Sequence, residues 1–225
     1  GTTEVADHTI ALTLARDRNM KVYGRTIDRG HRWQYYAAPR PMGLTGRTLG
    51  LFGLGKIGKA VSRRAQGLGM RVLAVDPRAT PEQAEAVGAC LSDEATALRE
   101  ADVISNHMNL TGENERFFDY ARFCRMEKHP IFLNVSRGGS MVETDLVRAL
   151  DEGLVRAAGL DVLEAEKPDL SRCALVGRKN VIITPHAAFY SSQSIEALQR
   201  ISCRNLTGCL TGRWEQVFRV VNGVF

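Results

Sequence analysis

The chain lacks cysteines at any disulfide-framework or metal-binding spacing. Its five cysteines, Cys90, Cys124, Cys173, Cys203 and Cys209, are odd in number and form no CxxC pair. That argues against a disulfide scaffold and a cysteine zinc site, and it fits a reducing cytoplasm. No apolar run approaches the roughly 20 residues that a membrane span needs. No signal-peptide pattern is present. There is no block of like charge either. The net charge is +5, and Arg16, Arg47, Arg63, Arg99, Arg137, Arg178 and Arg213 are spread along the chain. A solvated surface is the simpler reading, so neither nucleic acid nor membrane is expected as a partner. What remains is ordinary for a globular protein: 225 residues, 44% hydrophobic and 24% charged, enough for one large domain or two small ones. The first residue is Gly1, not methionine, and an upstream segment is expected.

The most informative stretch is Thr48-Leu49-Gly50-Leu51-Phe52-Gly53-Leu54-Gly55-Lys56-Ile57-Gly58, followed by Arg71-Val72-Leu73-Ala74-Val75-Asp76. It reads as strand, glycine-rich turn, helix, strand and acidic residue, the order of a dinucleotide-binding βαβ unit. Gly53 permits a tight exit from the strand, Gly55 close backbone approach to a pyrophosphate, and Gly58 close packing of helix on sheet. Backbone N–H groups at Lys56 and Ile57 then face the phosphates, aided by the helix dipole. Asp76 is placed to accept hydrogen bonds from an adenosine ribose, and its charge predicts NAD over NADP, with Arg78 close enough to soften that preference. Glycines at this spacing also occur in ordinary turns. The apolar flanks Leu49, Leu51 and Phe52, then Ala60, Val61 and Ala65, favour the ligand-binding reading.

The rest of the chain alternates helix and strand. Thr2 or Thr3 is expected to cap a helix running to about Asn19, and Lys21–Pro41 to be irregular, with Trp33, Tyr35 and Tyr36 wrapping another surface. Strands are expected at 48–52, 71–75, 102–105, 130–135, 157–160 and 181–184. Helices are expected at 56–68, 81–87, 92–100 with a Ser92 cap, 115–125, 144–152 and 191–210. This is the pattern of an α/β protein with a doubly wound parallel sheet, a Rossmann fold with helices on both faces.

Ligands of such sheets bind beyond the carboxyl ends of the strands. The polar residues expected there are Asp76, Asn106, His107, Ser136, Arg137, Asp161 and His186, with Glu166 in the loop after Asp161. A nicotinamide cofactor carries the hydride, so the protein must add a proton donor and a substrate anchor. His186 is the natural acid/base, since imidazole titrates near neutrality. Glu166 is the carboxylate best placed to favour its imidazolium and fix its tautomer. Arg137 can fork onto a carboxylate while polarising a carbonyl. Asp161 suits the nicotinamide carboxamide, and His107 is expected to line the crevice without chemistry. Rival readings remain: a surface ion pair for Arg137, a satisfied half-buried ring for His186, a solvated Glu166 beside Glu164, and a turn cap for Asp161.

These residues resemble the D-isomer-specific 2-hydroxy acid dehydrogenase family. Val5-Ala6-Asp7-His8 is similar to its interdomain helix, Gly53–Gly58 with Asp76 to its NAD fingerprint, and Asn134-Val135-Ser136-Arg137-Gly138-Gly139 to its arginine motif. Leu160-Asp161-Val162, leading to Glu166, and Thr184-Pro185-His186 complete the order. The resemblance implies NAD as cofactor, Arg137 as substrate anchor, Glu166 and His186 as the acid/base pair, and a homodimer formed through the nucleotide-binding domain. It implies residues 1–20 as interdomain helix, 191–225 as a helix and tail reaching toward a substrate domain, and most of that substrate domain lying outside this chain. His186-Ala187-Ala188-Phe189-Tyr190 leans toward the D-lactate dehydrogenase and corepressor branches, where Phe189 would lie near the substrate pocket. Asn109 stands where proline is usual. Lys167 separates Glu166 from Pro168 where a Glu-Pro pair is usual, which keeps Glu164 as a rival to Glu166. Three functions follow for test: a dehydrogenase of small 2-hydroxy or 2-keto acids, an NAD-regulated corepressor-type binding protein, and a cofactor binder without turnover.

Overall fold

The computed structural model describes residues 1–218, and they fall into two compact units. The larger is Thr2–Ala188; the smaller holds Gly1 and the chain from Phe189 onward.

The larger unit is built on strands β1 (Thr48–Phe52), β2 (Arg71–Val75), β3 (Cys90–Leu91), β4 (Val103–Asn106), β5 (Ile131–Asn134), β6 (Ala157–Leu160) and β7 (Val181–Ile183). They form one parallel sheet in the order β3-β2-β1-β4-β5-β6-β7. The order reverses between β1 and β4, where their carboxyl ends part. That is the switch point at which such sheets bind ligands. Helices α1 (Thr2–Asp17), α2 (Met20–Asp28), α3 (Lys56–Gly67), α4 (Pro81–Glu85), α5 (Glu94–Glu100), α6 (Tyr120–Cys124) and α7 (Glu143–Asp151) complete the unit.

Both faces of the sheet are covered, which is why its central strands read as continuous apolar runs. Side chains alternate between two cores. Leu49, Leu51, Val72, Ala74, Ile131 and Leu133 join Ala6 and Leu12 of α1 and Val61 and Ala65 of α3. Phe52, Ile104, Phe132 and Leu160 join Leu98 of α5, Phe123 of α6 and Leu146 of α7. In the second core Phe118 stands edge-on to Phe52 and Phe132, with centroids 5.2 and 4.9 Å apart. Each such side chain, fully buried, contributes about 1.5–3 kcal/mol.

Four expectations need correction. Part of Lys21–Pro41 is helical. Asn19 adopts φ 56°, turns the chain out of α1 and starts α2, while its amide Nδ2 donates to Pro39 O at 2.8 Å. The helix expected at 115–125 shrinks to α6. Arg116 sits at φ 55°, and Phe118 is drawn into a bridge with Met141. Asp93, not Ser92, caps α5, accepting from Thr96 N at 2.8 Å. The two-residue β3 was missed, being too short to show alternation.

In the smaller unit, Ser191 caps α8 (Ser192–Leu210), accepting from Ser194 N at 3.0 Å. Among the described residues no helix is long and apolar enough to cross a membrane, and no cluster of side chains suits a metal ion.

Candidate active site at the carboxyl ends of the strands

The glycine turn after β1 needs its glycines for steric reasons. Gly53 has φ 96°, and a Cβ there would lie 2.8 Å from the His107 carbonyl carbon. A Cβ on Gly58 would lie 2.1 Å from Gly53 O. Gly55 differs: a Cβ there would meet nothing within 4 Å, so its face opens onto free space. Gly55 is also the N-cap of α3 and brings no side-chain oxygen to the first amides of that helix. Those amides, at Lys56, Ile57 and Gly58, suit an anionic ligand at the positive end of the helix. Asp76 stands at the end of β2. Its Oδ2 accepts from Leu54 N at 2.7 Å and its Oδ1 from Arg78 N at 2.9 Å, which ties the second strand to the turn. An open cradle, uncapped amides and a carboxylate beside them fit the pyrophosphate and ribose of a dinucleotide.

Beyond β4 and β5 lies a buried polar network. Asn106 Nδ2 donates to Asn134 Oδ1 at 3.1 Å and to Ser140 Oγ at 2.7 Å, and Asn106 Oδ1 accepts from Met108 N. Asn134 Nδ2 and Ser140 Oγ both donate to Arg137 O, at 3.0 and 2.6 Å. Asn106 is fully buried. It was expected at the crevice among the cofactor-binding residues, and its side chain is part of the network that holds the turn carrying Arg137. Ser136 is half-buried and its hydroxyl donates to Met108 O. Arg137 is exposed, and its guanidinium donates to Ser136 O at 2.8 Å but pairs with no carboxylate among the described residues. The ion-pair alternative for this arginine therefore does not hold.

Gly138 presses this turn against the loop after β6: a Cβ would lie 1.7 Å from Leu163 O. The same loop carries both candidate glutamates. Glu164 Oε1 accepts from Glu143 N at 2.7 Å, and Glu164 N donates to Glu143 Oε1 at 2.5 Å. That reciprocal pair ties Glu164 to the start of α7. Glu166 Oε2 lies 3.3 Å from His186 Nδ1.

His186 has φ 52°, a left-handed conformation that a non-glycine residue adopts at a cost of about 1–3 kcal/mol. Asp161 holds it there. The Asp161 carbonyl accepts from His186 N at 2.9 Å. Its carboxylate accepts from Thr184 Oγ1 at 2.5 Å, Ala187 N at 2.9 Å and Ala188 N at 2.9 Å. Asp161 is 1% exposed, so its visible work is to fix this loop. His8 of α1 reaches the same cluster, with Nε2 2.9 Å from Thr184 Oγ1 and 3.6 Å from Asp161 Oδ1. Sequence reasoning gave His8 and Thr184 no role in the site. Thr184, between a strand and the candidate histidine, was the available signal.

His107 lies beside the turn, with Nε2 2.8 Å from Ser105 Oγ. Burial pushes its imidazole down to about 3, so it stays neutral and polar in the crevice near neutral pH.

A family model described as the NAD binding domain of D-isomer specific 2-hydroxyacid dehydrogenases matches residues 10–188. D-3-phosphoglycerate dehydrogenase 2, chloroplastic, of Arabidopsis thaliana is 37% identical over 213 residues, covering 94% of this chain and 33% of that protein. Hydroxypyruvate reductase of Blautia hydrogenotrophica is 36% identical over 218 residues, covering 94% of this chain and 66% of that protein. The crystal structure of D-lactate dehydrogenase from Aquifex aeolicus, complexed with NAD and lactic acid, superposes with a TM-score of 0.87. It is 28% identical and covers 96% of this chain and 69% of that one. The chain thus spans about a third of the length of the plant relative.

Proposed function

The chain belongs to the D-isomer specific 2-hydroxyacid dehydrogenase family through its NAD-binding domain, and from that premise we propose that the protein interconverts a small 2-keto acid and its D-2-hydroxy acid. The observation that carries this reading is the convergence of an unpaired Arg137, a strained His186 and a Glu166 carboxylate 3.3 Å from it at neighbouring strand ends.

NAD, when bound, accepts or supplies the hydride. Gly53, Gly55, Lys56, Ile57 and Gly58 would cradle its pyrophosphate, Asp76 would hold its ribose, and Ser136 and the loop that Asp161 fixes would meet the nicotinamide end. Arg137 binds the substrate carboxylate and draws electron density from the keto oxygen. His186 Nε2 donates a proton to that oxygen during reduction and takes it back during oxidation. Glu166 at Nδ1 keeps the proton-bearing nitrogen facing the substrate and stabilises the imidazolium. Asp161 and Thr184 position the loop. Overall, keto acid, NADH and a proton give hydroxy acid and NAD.

The relatives' names favour this dehydrogenase reading over a corepressor-type module. They include phosphoglycerate, hydroxypyruvate and D-lactate enzymes, so the substrate is assigned as a small 2-keto acid and no more narrowly. Residues 1–20 are read as an interdomain helix and 191–225 as a segment serving a substrate-binding half. A homodimer through the nucleotide-binding domain is supported by the exposed aromatics Trp33, Tyr35 and Tyr36. Thiols that form no disulfide among the described residues suit the cytoplasm.

The test is NADH oxidation with glyoxylate, pyruvate and hydroxypyruvate. One or more should turn over. His186→Gln should lower kcat by about 100- to 10,000-fold with NADH affinity unchanged. Full activity in that variant would remove His186 from the mechanism.

A further inference from the structure

At the amino ends of β5 and β6, the larger unit carries a half-open cavity of about 670 Å³. It lies at the opposite edge of the sheet from the crevice. Ile131 and Ala157, the first residues of these strands, line it, whereas Arg137 and Asp161 follow their other ends. Its remaining walls come from the end of α1, from α2, from the segment that returns to β1, and from Lys179-Asn180.

The lining is strongly one-sided in charge. It holds seven cationic residues and one acidic residue, Asp17. Away from the cavity several arginines are paired: Arg47 with Asp102, Arg64 with Asp7, Arg71 with Glu100, Arg122 with Glu94 and Arg178 with Asp151. Arg16, Arg25, Arg29, Arg32, Arg40 and Lys179 line the cavity, and none of them forms an ion pair among the described residues. Arg156, the seventh, likewise has no carboxylate within ion-pair distance among the described residues. Like charges gathered around one concavity raise its positive potential and draw anions to it.

A second observation is independent of charge counting. Arg16 is 4% exposed and lines the cavity. Its Nη1 donates to Lys179 O at 3.2 Å, but its Nε has no partner. A buried donor left unmade is uncommon and marks a place where an acceptor belongs. Asp17 is the complementary case. Its Oδ1 accepts from Met42 N at 2.8 Å, while its Oδ2 has no donor. A partly protonated phosphate offers chemistry that suits both, an anionic oxygen as acceptor for a guanidinium and an O–H as donor to a carboxylate. Guanidinium forks match phosphate oxygens in pairs. The volume falls in the range of small-molecule sites, roughly 300–1,000 Å³.

We propose that this cavity is a binding site for a small phosphate-bearing polyanion, separate from the dinucleotide crevice. The probe is inorganic pyrophosphate, titrated calorimetrically into the intact protein with NADH held saturating, so that the glycine turn is already filled. One pyrophosphate site per chain is expected, weakening as salt screens it. The double variant Arg29→Gln/Lys179→Gln, at exposed positions outside both cores, should weaken it at least tenfold and leave NADH affinity at the wild-type value. Equal pyrophosphate affinity in wild type and variant, or no binding even at low ionic strength, would overturn the proposal. So would sedimentation showing that pyrophosphate only separates associated copies, since the cavity would then seat an acidic segment of another chain.

Discussion

A histidine at φ 52° does not stay there unaided. Backbone amides at 187 and 188 and the Thr184 hydroxyl all converge on one buried carboxylate, Asp161. Geometry thus divides the labour among residues that sequence reading had put side by side. Arg137, Glu166 and His186 are exposed; Asp161 and Asn106 are buried beneath them and hold the turns. The rivalry between Glu164 and Glu166 is likewise a matter of contacts, since Glu164 is tied to Glu143. His107 makes a prediction at this scale. An unfolded histidine takes up a proton below about pH 6.5, whereas the folded one resists until about 3. Between those values the unfolded state binds more protons, so stability falls as pH falls. Chemical denaturation at pH 7 and pH 5 should show the wild type losing about 2 kcal/mol more than His107→Gln. Equal losses would show that His107 titrates alike in both states.

At the scale of elements, the amino terminus of α3 carries the cofactor argument. Gly55 is extended, with φ −70° and ψ −165°, and a Cβ there meets nothing. Alanine at that position should therefore leave stability within about 1 kcal/mol of wild type while lowering NADH affinity at least tenfold, read by calorimetric titration. Unchanged affinity would mean that no ligand approaches Gly55. The elements near this site were legible in the sequence because their signals are local. β1, β2 and β6 end where their apolar runs end, and α7 closes at Gly153 with φ 74°. Signals failed where a distant partner decides. Phe118 leaves a helical stretch to bridge Met141, and Asn19 restarts a helix by entering the left-handed region. The buried amide network under Arg137 could not be foreseen either, because it joins residues 28 and 34 positions apart.

For the whole molecule, the parallel sheet separates two kinds of surface. Its carboxyl ends gather the glycine turn, Arg137 and His186; its amino ends border the basic cavity. The proposed reaction belongs to the first: hydride passes between NAD and the second carbon of a 2-keto acid, with the proton managed by His186. Deuterium transfer tests this most directly. NADH carrying deuterium at the transferable ring position is mixed with the protein and glyoxylate, pyruvate or hydroxypyruvate, and the product is examined by mass spectrometry and NMR. One deuterium is expected on the carbon bearing the new hydroxyl, with the D configuration wherever that carbon is a stereocentre. A product carrying no deuterium at that carbon, or one of L configuration, would contradict it.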